Sequence, residues 1–156
     1  MKFHSSVLFV HDIENSKKFY IDLMGQSILH DFGKNIIFKS GLAIWELQPD
    51  HIIATKLQPS DHGYPLELYF EDENIDEVLQ KLQSHPVRFL HAIQEEPWGQ
   101  RTIRFFDPDG HLIEVGEPLH IFVENMARQG LIVAEISQRS GIHPDTVQNL
   151  LGDCHD

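Results

Sequence analysis

The chain has 156 residues and a single cysteine, Cys154. No intrachain disulfide framework, cysteine zinc site or CxxC redox pair can therefore form. Apolar runs are short, and none approaches the roughly 18–20 residues needed to cross a bilayer. The opening Met1-Lys2-Phe3-His4 leads into a strand pattern and lacks the apolar stretch of a secretory signal. The expectation is a cytoplasmic protein with no membrane contact. Positive charge is scarce: 12 Lys and Arg stand against 24 Asp and Glu, for a net charge of -12. Such a chain repels nucleic acid and anionic lipid at long range, and its basic residues form no patch. A Walker loop, a GxGxxG turn and a GxSxG nucleophile elbow are also missing.

What remains is a globular composition, 41% hydrophobic and 23% charged, enough for one domain with a small appendage. Residues 2–10 alternate as a strand, with Phe3, Ser5, Val7 and Phe9 on one face and His4, Ser6, Leu8 and Val10 on the other. Asp12 is placed to cap a helix running to about Met24, stopped by Gly25. Three short strands are expected over 27–32, 35–39 and 42–47, then a long Pro- and Gly-containing connection over 48–65. The order then recurs. A strand is expected over 66–71, followed by a helix opened by a capping box at Asn74-Ile75-Asp76-Glu77. Strands are expected over 87–93, 100–106 and 111–116, the last two joined by the turn Asp107-Pro108-Asp109-Gly110.

The order is thus βαβββ twice, a structural duplication. Laying Asp12-Ile13-Glu14 over Asn74-Ile75-Asp76 sets Ser5 opposite Glu67, and the fourth strands are matched as Trp45-Glu46-Leu47 with Ile113-Glu114-Val115. Residues 118–156 differ: Leu119, Phe122, Val123 and Met126, then Ile132, Val133 and Ile136, then Pro144, Val147, Leu150 and Leu151 predict three short helices.

The string Pro97-Trp98-Gly99-Gln100-Arg101, with Phe105-Phe106-Asp107-Pro108-Asp109-Gly110-His111-Leu112-Ile113-Glu114, resembles the final strands of the vicinal oxygen chelate superfamily. This is the glyoxalase, bleomycin-resistance and extradiol-dioxygenase group. Val10-His11-Asp12-Ile13, Ser16, Phe19-Tyr20 and Gly25 are similar to its first strand and helix. The resemblance covers 2–117 and implies an α+β fold of two βαβββ modules (2–47 and 65–116) forming a glyoxalase-like cleft, with 118–156 as a helical extension. It also implies a small-molecule ligand and a homodimer.

Metal-dependent members place ligands on the first and last strand of each module, which here are Ser5, Glu46, Glu67 and Glu114. Histidine usually stands where this chain has Ser5 and Glu67; His4 is adjacent to Ser5 but of opposite parity. An oxygen-only set favours a hard ion, Mg²⁺, Mn²⁺ or Ca²⁺, over zinc, iron or nickel. Glu114 and Glu67 are the candidate catalytic carboxylates. Tyr69, Trp98, Arg101 and Phe9 are the candidate substrate-binding residues, with Phe9 and Tyr69, but not Trp45, expected on the cleft face. Asp107 and Asp109 read as turn formers rather than ligands, and His111 as a structural residue following the turn rather than a catalytic one.

Two functional readings stand open. One is a divalent-metal-assisted lyase, isomerase or dioxygenase; the other is a metal-free protein that binds and sequesters a small molecule. A weaker third is a regulatory protein using the last three helices, whose pattern is similar to a helix-turn-helix. Residues 118–156 carry two arginines against five acids, the reverse of what phosphate contact needs. A lid or dimer brace is therefore preferred to a nucleic-acid surface.

Overall fold

A computed structural model describes residues 4–50 and 66–152. Cys154 and most of the 48–65 connection lie outside the described residues. The alternation in the first segment becomes strand β1 (Ser6–Phe9), with Leu8 and Val10 buried and Val7 and Phe9 exposed. Asp12 caps α1 (Ile13–Lys18) by accepting from the backbone N–H groups of Glu14 and Asn15. The helix then widens into a π-helical turn, Phe19–Leu23, which ends at Gly25 with φ 65°. The wider turn leaves both Tyr20 and Leu23 buried. Strands β2 (Ile28–Asp31), β3 (Asn35–Phe38) and β4 (Leu42–Trp45) complete the module. Their sheet order is β1-β4-β3-β2, with β1 and β4 parallel.

The second module repeats this plan. It comprises β5 (Glu67–Glu71), α2 (Ile75–Gln83), β6 (Arg88–Glu95), β7 (Arg101–Phe106) and β8 (Leu112–Gly116). The sheet order is β5-β8-β7-β6, again with a parallel first pair. Ile75 and Leu82 put the apolar stripe of α2 into the core, and the Asn74 side chain caps it by accepting from the N–H of Glu77. The fold is α+β with two four-stranded sheets.

The chain divides into two compact units: Met1–Leu66 with Phe106–His111, and Glu67–Phe105 with Leu112–Asp156. The β7–β8 turn thus clusters with the first module, and polar contacts explain why. The Tyr20 hydroxyl donates to Asp107 Oδ2 at 2.8 Å, and the Ser16 hydroxyl donates to Asp109 Oδ2 at 2.8 Å. The His11 N–H donates to Asp109 Oδ1 at 2.8 Å. Asp107 also pairs with His111 Nδ1 at 2.8 Å. Sequence reading recognised these aspartates as turn formers and missed that they fasten α1. Burial pushes the Asp107 carboxyl up, but hydrogen bonds from His111 and Tyr20 outweigh it and hold the group below its usual range. The same bond raises the His111 imidazole against the effect of burial.

In the second unit, α3 (Leu119–Arg128), α4 (Val133–Ser140) and α5 (Pro144–Gly152) enclose a cluster of Phe122, Val123, Met126, Ile136 and Val147. Each such burial stabilises by about 1.5–3 kcal/mol. Leu119 and Ile132, expected on the apolar stripes, are exposed; Ile132 sits in the N-cap position of α4, outside the helical stripe. The helices reach the sheet's connections. Arg139 pairs with Glu95 at 2.5 Å, and the Met126 sulfur lies 2.6 Å from where a Cβ on Gly99 would be.

Gly99 combines φ 98° with that close approach. Urea denaturation of Gly99→Ala is expected to show a loss of about 1–3 kcal/mol, from overpacking and left-handed strain together. The Asp107–His111 pair makes a second prediction. A histidine whose folded pKa is raised contributes stability below its unfolded value and loses it as pH rises through the folded one. A depressed aspartate contributes above its unfolded value and loses it as pH falls through the folded one. The pair is at full strength between roughly pH 4 and pH 6.5. On going from pH 8 to pH 6, the wild type should gain more in melting temperature than His111→Phe does.

Candidate functional site

Backbone pairing fixes how the two modules superimpose. The Val10 N–H donates to the Trp45 carbonyl at 3.0 Å, and the Asp72 N–H donates to the Gly116 carbonyl at 3.1 Å. The Glu46 N–H donates to the Lys34 carbonyl, and the Glu117 N–H to that of Arg101. Trp45 therefore corresponds to Gly116, Glu46 to Glu117, and Lys34 to Arg101. By the same register Ala43 corresponds to Glu114, because Val7 pairs with Ala43 and Tyr69 with Glu114. This differs by three residues from the match read off the sequence, where nothing marked the register of the fourth strand.

The corrected register gives Glu46 and Arg101 a shared explanation. Lys34 Nζ meets Glu46 at 2.5 Å, and the Arg101 guanidinium meets the fully buried Glu117 at 2.7 Å. Each module thus carries a cation–carboxylate staple between its third and fourth strands. Glu46 Oε2 additionally accepts from the Ile13 N–H at 2.8 Å, at the start of α1. Its carboxyl is held below the usual range, first by the Lys34 hydrogen bond and then by this backbone donor. Arg101 is engaged by Asp76 as well, at 3.1 Å.

Glu67 and Glu114 come together in the second sheet, and they come together around Arg104. Arg104 Nε donates to Glu67 at 2.8 Å, one terminal nitrogen donates to Glu96 at 2.5 Å, and the other contacts Glu114. His91 Nε2 lies 3.2 Å from the nitrogen that holds Glu96. Glu114 is 5% exposed. Burial, Glu67 and Glu96 raise its carboxyl above the usual range despite Arg104. Glu96 is lowered, first by its bond from Arg104. The cluster can hold a proton on Glu114, and its surplus of carboxylates suits a cationic or hydrogen-donating ligand.

A second chain of contacts joins two of the expected binding residues. Trp98 Nε1 donates to Gln100 Oε1 at 3.0 Å, Gln100 Nε2 donates to the Tyr69 hydroxyl at 2.9 Å, and that hydroxyl donates to Glu71 at 3.1 Å. Gly116 permits the approach: a Cβ there would lie 2.7 Å from Gln100 Nε2 and 3.1 Å from the Tyr69 ring. Desolvation, the largest influence, raises the Tyr69 phenol. Phe9 lies in the first unit, where it lines a recess of about 390 Å³ with His11, Glu46 and Gln48. Trp45 pairs with Phe9 in register, rings 6.2 Å apart, so it shares the Phe9 face rather than the opposite one. Ser5 is half-buried just before β1.

Arg104, Glu96, Gln100 and His91 were not singled out from sequence. Arg104 had a signal: a lone charge between Ile103 and Phe105 inside an otherwise uncharged strand core demands a counter-charge.

The Ser5, Glu46, Glu67 and Glu114 set does not fit a divalent ion as it stands. Glu46 holds a lysine, and Glu67 and Glu114 hold an arginine. The first-module counterpart of Glu114 is an alanine. Among the described residues, no three His, Cys, Asp or Glu side chains are grouped to hold a metal ion.

The profile of the glyoxalase-like domain family matches residues 3–120 and ends near the start of α3. A protein of unknown function from Agrobacterium tumefaciens str. C58 is 42% identical, over 76% of this chain and 95% of that one, with a TM-score of 0.67. Lactoylglutathione lyase from Agrobacterium tumefaciens is 21% identical, over 75% and 93%, with a TM-score of 0.55. A genomically encoded fosfomycin resistance protein from Listeria monocytogenes is 20% identical, with the same coverage and TM-score. The last two show likeness of fold.

The Arg104 cluster predicts unequal effects of its members. Arg104→Met leaves three carboxylates without their cation. The loss should be on the order of 2–3 kcal/mol, below the roughly 3–5 kcal/mol of a fully buried pair because water screens part of the cluster. Glu114→Gln removes a buried charge among like charges and should be nearly neutral. Stability of Arg104→Met should recover as pH falls from about 6 to 4 and the carboxylates take up protons, read by urea denaturation across pH.

Proposed function

The chain belongs to the glyoxalase-like domain family, and from that premise we propose that it is a metal-free binding domain for a small, cationic, hydrogen-bonding organic molecule. The observation that carries this reading is the Arg104 guanidinium set among Glu67, Glu96 and Glu114. A divalent ion would have to displace that guanidinium before coordinating Glu67 and Glu114. A metal-assisted lyase, isomerase or dioxygenase therefore finds less support than a binder or sequestering protein.

The ligand chemistry follows from the same sheet. Carboxylates outnumber the arginine, so an approaching cation is favoured over an anion. Trp98 is partly exposed and Tyr69 half-exposed, and both offer aromatic faces to a cation or a planar group. The Trp98–Gln100–Tyr69–Glu71 chain holds the phenol in place, which lowers the ordering cost of binding. The homodimer expected of the family is part of this reading. Its support is the edge strand β1, with Val7 and Phe9 exposed on it.

Calorimetric titration in excess chelator tests the reading, with three probes: metal-free bleomycin as the cationic probe, and fosfomycin and lactoylglutathione as the anionic ones. The cationic probe class is expected to bind in chelator, with affinity reduced about tenfold in Tyr69→Ala, in line with loss of one aromatic contact. Binding that appears only when a divalent ion is restored would reject the proposal.

A further inference from the structure

We infer that the recess at the end of β1 is a second small-molecule site, and that its ligand is an aromatic molecule whose hydroxyl group donates to His11 Nε2. Every residue involved lies in the first unit, so the inference is independent of the Arg104 cluster and of the reading built on it.

The His11 imidazole is held from one side. Its Nδ1 lies 2.6 Å from Asp109 Oδ1. The same carboxylate accepts from the His11 N–H at 2.8 Å and, through Oδ2, from the Ser16 hydroxyl at 2.8 Å. Its side chain is only 6% exposed. A carboxylate that accepts from every other partner accepts from the ring as well, so Nδ1 carries the proton and a neutral imidazole has its lone pair on Nε2. The ring is 92% exposed and borders the recess. Asp109 thus fixes the tautomer and orientation of a ring whose second nitrogen is turned away from the carboxylate.

Packing does not account for this ring. The His11 N–H and the Ser16 hydroxyl already fasten Asp109, and so exposed an imidazole gains little from burial. Nor does the repeat require it. Val10 corresponds to Asp72, so Glu73 stands at the His11 position in the second module.

The recess, about 390 Å³, is of the size that takes a small molecule. Phe9, Leu47 and Pro49 give it an apolar side, and His11, Glu46 and Gln48 a polar one. Phe9 is 40% exposed, which leaves ring surface for an aromatic ligand. Glu46 accepts from Lys34 at one oxygen and from the Ile13 N–H at the other, and as a carboxylate it can only accept again. With His11 Nε2 and Glu46 both acceptors, the recess selects a ligand that donates. Lys34 balances the charge of Glu46, so a neutral hydroxyl suits the site better than a cation.

Calorimetry on the chelator-stripped full-length chain tests this at pH 8, above the ordinary imidazole range. The probes are 2-naphthol and 2-methoxynaphthalene, which share a ring system and differ in the hydroxyl proton. The wild type is expected to bind one 2-naphthol per chain, about five- to tenfold more tightly than the ether, the span of one hydrogen bond. His11→Phe keeps a ring and loses the acceptor, and it should bind the two probes alike. A second measurement needs no variant: the imidazole ¹⁵N shifts of the wild type should show His11 protonated on Nδ1. Any one of four results overturns the inference: no binding of 2-naphthol, equal affinity of the wild type for both probes, a preference that survives in His11→Phe, or a His11 ring protonated on Nε2. None of them touches binding of the cationic probe in chelator.

Discussion

A carboxylate placed within a sheet has to meet a positive charge or give up its own, and in this protein that constraint recurs from module to module. Glu46 is held by Lys34, the fully buried Glu117 by Arg101, Asp107 by His111, and Glu67, Glu96 and Glu114 by Arg104. With acids twice as numerous as Lys and Arg together, cations are the limiting partner. Where one guanidinium faces three carboxylates, the deficit is met by a raised carboxyl at Glu114. The place where charge is least well balanced is the place with the most capacity to bind or to move a proton.

The duplication separates the ion pairs that recur in both modules from those that do not. Lys34–Glu46 and Arg101–Glu117 occupy the same position in both modules and tie the third strand to the fourth. They belong to the βαβββ plan itself. In the first module Ile37, Ala43 and Ser5 stand at the positions of Arg104, Glu114 and Glu67. One gene-level repeat has thus given two sheets with the same hydrogen-bond frame and different exposed chemistry. The first presents Val7, Phe9 and Trp45; the second presents Glu67, Tyr69 and Glu71. The terminal helices extend beyond the family domain. Their own apolar cluster holds them together, and Arg139 and Met126 fasten them to the loop that carries Trp98.

The elements, their order and the repeat were determined by the sequence, because period-two alternation, the caps at Asp12 and Asn74 and the glycine stops are local signals. The motif around Asp107-Pro108-Asp109-Gly110 was enough to indicate the family. The partners of the charges were decided only in the tertiary structure. A glutamate on a strand reads the same whether it faces water, a lysine or a metal. Which it meets depends on strand register, and register in the fourth strands rests on hydrogen bonds such as Val10–Trp45 and Asp72–Gly116 that join residues far apart in the chain. A three-residue difference in that register moved Glu46 from the position of Glu114 to that of Glu117. At that position Glu46 forms an ion pair with Lys34. Arg104 was visible as a charge in an apolar strand, but that it neutralises three acids at once is a property of three strands and a loop meeting, which no local pattern encodes.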